Sequence, residues 1–156
     1  MFMPVLGAAA IAVLPARRAL LLWQVAMLFA LATLGHALWL AAGFDPAGPA
    51  IQFHESRPWN IRLGSYFALG IDGIALAMVL LSALLSLIAV LVSRRMEDGA
   101  RLYFTLVLLL ESAMFGVFTA RDWSLFYVFW EATLIPLFFL IDRLGGPNRQ
   151  RAALNF

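Results

Sequence analysis

Of the 156 residues, 63% are hydrophobic and 13% charged, far from the roughly 45–50% apolar and about 25% charged of soluble domains. A single globular core of this size could not bury so much apolar surface, whereas spans of about 20 residues use nearly all of it. The chain has no cysteine, which excludes disulfides, thiolate-held iron–sulfur clusters and a cysteine zinc site built within it. A net charge of +2 is too small to point to nucleic acid.

Charges punctuate the chain, so membrane spans are read as the uncharged stretches between them. Five are predicted. The first runs from Met1 to about Ala16 and stops at Arg17 and Arg18. Its apolar run followed by Leu-Pro-Ala also resembles a secretory signal, but the basic residues follow the run instead of preceding it, which favours a span. The second takes Ala19 to Phe44 without a charge. Gly43 to Arg62 is rich in Gly, Pro and Asp and reads as a polar loop. The third span is expected over Tyr66–Ser93, the fourth over Leu102–Ala120 and the fifth over Trp123–Ile141, with Asp142–Phe156 as a tail. The reading is therefore an all-α membrane protein of about five transmembrane helices. It divides into residues 1–65, holding two helices and an exterior loop, and 66–156, holding three helices and the tail.

All eleven basic residues are arginine. With the N-terminus outside, Arg17, Arg18, Arg94, Arg95, Arg101, Arg143, Arg149 and Arg151 fall inside and Arg57, Arg62 and Arg121 outside, a clear positive-inside bias. Trp23, Trp39, Tyr66, Tyr103 and Trp123 lie near span ends, where amphipathic rings sit at the headgroup level.

Two carboxylates fall at mid-depth. Glu111 is central in the fourth span and Glu131 lies within a turn of the centre of the fifth. An ionisable group there costs at least ~2.5–3.5 kcal/mol on insertion scales, so it faces a protein interior or a water-filled cavity. Desolvation disfavours the ionised form, which makes both candidates for exchanging protons near neutral pH. Pro136 has no N–H to donate to the carbonyl of Ala132, leaving an acceptor beside Glu131. Tyr127, one turn earlier, is placed to orient a water or bond the carboxylate. The alternative is a kinking proline and glutamates that hydrogen-bond neighbouring helices. Asp72, within Gly70-Ile-Asp-Gly73, reads as a helix cap or interfacial polar residue, and Asp122 as a cap of the fifth helix. His36 is the only histidine within a span, so a haem held by two span histidines of this chain is excluded; His54 belongs to the loop.

Several stretches resemble a known family. Leu125-Phe-Tyr-Val-Phe-Trp130-Glu131-Ala-Thr-Leu-Ile-Pro136 resembles the fifth-helix motif of the antiporter-like membrane subunits of respiratory complex I, nearest to their M (subunit 4) branch. Gly70-Ile-Asp-Gly-Ile74 resembles the third-helix signature, and Gly116-Val-Phe-Thr-Ala-Arg-Asp122 the connection between helices four and five. Ala152-Ala-Leu-Asn-Phe156 resembles the approach to the sixth helix, where the family usually has lysine instead of Asn155.

The resemblance implies a subunit that moves protons across a bacterial inner membrane while partner subunits oxidise NADH and reduce quinone. NADH, FMN, iron–sulfur clusters and quinone are then expected in those partners and no cofactor in this chain. Glu131 matches the proton-channel glutamate, which the family pairs with a lysine of the seventh helix. Against the family's fourteen helices in two inverted repeats, this chain is expected to be an incomplete, N-terminal part, inactive by itself. The partners implied are other membrane subunits of the complex, the bilayer and protons. Related sodium/proton antiporter and membrane-hydrogenase subunits share the glutamate and remain alternatives, as does a non-transporting helical scaffold.

Overall fold

The computed structural model describes residues 2–155. The outer limits of the first predicted span and of the tail, Met1 and Phe156, lie outside them. Four helices are long and apolar enough to cross a membrane: α2 (Ala19–Ala42), α3 (Gly73–Val92, prolonged by a 3-10 turn to Arg95), α4 (Ala100–Thr119) and α5 (Trp123–Leu144). They are preceded by a shorter apolar helix, α1 (Met3–Val13), and followed by α6 (Arg149–Leu154).

Helix α1 is shorter than the span read from the sequence, about 16 Å at ~1.5 Å per residue. Proline explains both ends. Pro4 sits in the first turn, where its missing N–H costs nothing, and Leu14, ahead of Pro15, is extended with ψ 150°, as the residue before a proline must be.

The predicted loop contains a strand pair, β1 (Gln52–Asn60) and β2 (Ser65–Ile71), antiparallel and joined through a 3-10 turn and Gly64. Gly64 has φ 63°, a left-handed turn open to glycine. Tyr66–Ile71, assigned from its sequence to the third span, is therefore strand; an apolar run of six residues reads equally as buried strand or as helix. Asp72 ends the strand by capping α3, its carboxylate accepting from the Ala75 N–H at 2.8 Å. The tail also shortens, because Asp142 and Arg143 continue α5 to Gly145.

Cross-helix contacts fix the directions. Trp23, near the start of α2, donates its indole N–H to the Val90 carbonyl near the end of α3 at 3.0 Å, and Tyr103, near the start of α4, donates to Ala89 at 3.3 Å. Neighbouring helices thus run antiparallel, with the hairpin at one end of the bundle and the Arg94–Arg101 connection at the other. Helix α4 occupies the centre, packed on α1, α2, α3 and α5. In lipid such association rests on close approach at small residues, and the interfaces show them: Ala26, Ala30, Ala37 and Ala83 are fully interior. A Cβ on Gly7 would meet Phe29 of α2 and Leu108 of α4. Thr33 and Ser82, buried, turn their hydroxyls to the carbonyls of Phe29 and Met78 one turn back.

Candidate functional site: two mid-span glutamates and a hairpin clasp

Glu111 lies on α4, the helix with most of its surface covered: 56% of its apolar stretch is interior, against 11% for α5. It is 0% exposed, packed along α4 with Leu108, Ser112 and Phe115, also buried. Neither carboxylate oxygen has a hydrogen-bond partner among the described residues. A buried polar group without partners carries its full desolvation cost. Its two oxygens are left for a proton, a water or a donor from outside this chain.

Glu131 has a different setting. Helix α5 packs on α4 along one side, and Glu131 faces away from it, exposed, beside a shallow groove lined by Leu134, Ile135, Phe138 and Phe139. Tyr127, itself 62% exposed, stands one turn before Glu131, the i, i+4 neighbour relation of a helix. Pro136 is inside α5 and buried, so the Ala132 carbonyl has no N–H at the fourth residue onward. The structure therefore gathers Tyr127, Glu131 and Pro136 on one stretch of α5, and seats Glu111 separately within the bundle.

Asp72 belongs to neither glutamate. It sits at the hairpin end, where its Oδ2 meets Arg121 Nη2 at 2.9 Å. The three-residue turn between α4 and α5 (Ala120–Asp122) is held there by several bonds. Arg121 donates its backbone N–H to Ala68 at 2.8 Å and its Nε–H to Gly70 at 3.3 Å. Asp122 caps α5 by accepting from Ser124 and Leu125 N–H groups at 2.9 and 3.1 Å, and its other oxygen accepts from Tyr66 N–H at 3.2 Å. The Ser65 and Ser124 hydroxyls bond at 2.9 Å. These donors hold both carboxyls below the usual carboxylate range, Asp72 first through the Ala75 N–H and then through Arg121, and Asp122 first through the Tyr66 N–H. The structure makes Asp72, which reads from the sequence as a helix cap or interfacial polar residue, a cap, as it does Asp122, and adds Arg121 as the partner of Asp72, which local pattern does not disclose. The available signal was that Asp72 and Arg121 both fall at outer span ends. His36 stacks on Trp39 within α2 at 5.7 Å.

Comparison with known proteins adds to this geometry. The chain is 39% identical over 160 residues to NADH-quinone oxidoreductase subunit M of Rhodobacter capsulatus, covering 99% of this chain and 31% of that protein. It is 39% identical over 127 residues to F(420)H(2) dehydrogenase subunit M of Methanosarcina mazei, covering 81% and 26%. It is 34% identical to NAD(P)H-quinone oxidoreductase chain 4 2 of Thermosynechococcus vestitus, over 99% and 29%. No family model matches. Among solved structures, a chain of respiratory complex I from Thermus thermophilus with bound NADH superposes with a TM-score of 0.80 at 31% identity, over 97% of this chain and 30% of that one. The chain is a multi-pass membrane protein and, in sequence and in fold, a homologue of the complex I membrane subunit named M or chain 4, spanning about 30% of that subunit's length.

Proposed function

We propose that this chain forms part of the proton path in the membrane arm of a bacterial NADH:quinone oxidoreductase, with Glu111 and Glu131 as proton-carrying groups. The observation that carries the reading is the seating of Glu111 at the centre of α4, wholly buried and with both oxygens unpartnered. A carboxyl in that position contributes nothing to packing that glutamine or leucine would not supply. It is suited to taking a proton from a water chain and handing it on.

Glu131 supports the reading from the other side. A mid-span carboxylate on an outward face is too costly to leave in lipid, so that face is covered by further protein, in keeping with relatives about three times longer. Tyr127 is a positioning residue for its carboxylate, and Pro136 supplies a free carbonyl for an ordered water. NADH oxidation and quinone reduction belong to partner subunits, and this chain contributes ion movement and assembly contacts. The names of the quinone-oxidoreductase relatives and the NADH-bound Thermus structure support NADH as the donor; the Methanosarcina relative is named for F(420)H(2) instead.

The test places this segment in a full-length subunit M within the assembled complex and measures NADH oxidation and acidification of membrane vesicles together. Glu131→Gln is expected to lower the protons moved per NADH several-fold, and Glu111→Gln to do so less, with the complex assembled in both. Unchanged pumping in the double variant would exclude the relay.

A further inference from the structure

At the end of the bundle away from the hairpin, the start of α2 and the end of α3 are tied by the Trp23–Val90 bond, and the Arg94 guanidinium lies over the Trp23 ring, 5.3 Å from its centroid. Trp23 and Tyr103, hydrogen-bonded there, mark the level at which lipid headgroups begin. An open groove of about 640 Å³ is cut at that level, lined by Ala19, Leu20, Arg94, Arg95, Met96 and Glu97.

Arg94 and Arg95 are exposed, and among the described residues neither makes a salt bridge, although Glu97 shares the groove. Arg17 and Arg18 precede α2 and Arg101 begins α4, so five arginines stand against Glu97 and Asp98 on this rim. Leu20, 57% exposed, lines the groove, and Leu91, 49% exposed, lies three residues before Arg94 near the end of α3. A topology signal requires only that the charges lie on one side of the membrane. A concavity that sets two guanidiniums without an acidic partner, one of them resting on the Trp23 ring, above an apolar wall matches an amphiphile with an anionic head.

We infer that this groove binds the phosphate of an anionic phospholipid, with Arg94 and Arg95 donating to its oxygens and an acyl chain lying along Leu20 and Leu91. Guanidinium forks suit phosphate oxygens in this way, and basic hollows between spans on the cytoplasmic side are where such headgroups lodge. The bound lipid would fasten the α1–α2 turn to the α3–α4 connection.

Native mass spectrometry of the purified full chain, delipidated and then offered equal amounts of phosphatidylglycerol, phosphatidylethanolamine and phosphatidylcholine, tests this. Phosphatidylglycerol is expected to be retained about tenfold over phosphatidylcholine, and Arg94→Gln/Arg95→Gln to remove that preference. Arg149→Gln/Arg151→Gln, the same charge change outside the groove, is expected to keep it. Arg95→Gln alone leaves the Arg94–Trp23 contact in place and is expected to lose several-fold, so the test survives a poorly folding double variant. Equal retention of the three lipids, preference for phosphatidylethanolamine, or equal losses in the two double variants would overturn the site.

Discussion

Asp72 and Asp122 show how single side chains hold the hairpin end of the bundle together. Each caps a spanning helix and also accepts from a second element, Asp72 from Arg121 and Asp122 from Tyr66. Because both are held below the usual carboxylate range, their contribution is complete at neutral pH and is lost as pH falls below that range and through their lowered values. The melting temperature of the chain in detergent is therefore expected to drop below about pH 4, with a shallower drop in Asp72→Asn/Asp122→Asn. An identical acid profile in the variant would show that these carboxylates do not govern it. The ion pair itself is partly exposed, 22% and 36% for its two side chains, so it adds little beyond the hydrogen bonds it aligns.

The helices and the hairpin were not equally legible. Spans two, four and five agree with α2, α4 and α5 to within a few residues, because charges and glycines stand at their ends. The β2 segment was absorbed into the third span because Tyr66–Ile71 is apolar without interruption, and only pairing with β1 distinguishes strand from helix there. The site was partly legible. Mid-depth placement of both glutamates follows from counting along a helix, whereas the interior position of Glu111 and the outward one of Glu131 depend on which helices pack on α4 and α5, and composition does not encode that. Gly116 illustrates the same limit: a Cβ there would overlap the Phe129 ring of α5, so the absence of a side chain permits the α4–α5 contact. Gly116→Ala is expected to destabilise the pair by about 1–3 kcal/mol, read as a lower melting temperature and largely restored by Phe129→Leu. Unchanged stability would mean that the helices separate without penalty.

At the scale of the whole molecule, the bundle offers carboxylates without their counter-ions. Among the described residues no cation is paired with Glu111 or Glu131, and the chain spans about 30% of the relatives it matches. Reconstituted by itself in liposomes with an internal pH dye, it is expected to show no flux that Glu131→Gln abolishes; such a flux would mean that these carboxylates operate without an outside partner. The tight α4–α5 turn bears on any partner that does arrive. Pinned to the hairpin at Arg121 and Asp122, it prevents the two helices from sliding past each other. Glu111 lies about 13 Å and Glu131 about 12 Å below it along their helices, so the clasp acts as a depth gauge that sets both carboxylates at a common level. A cation arriving at that level from a neighbouring segment meets Glu131 on the outer face of α5, with Glu111 at the same depth inside the bundle, and any tilt of α4 carries Glu131 with it.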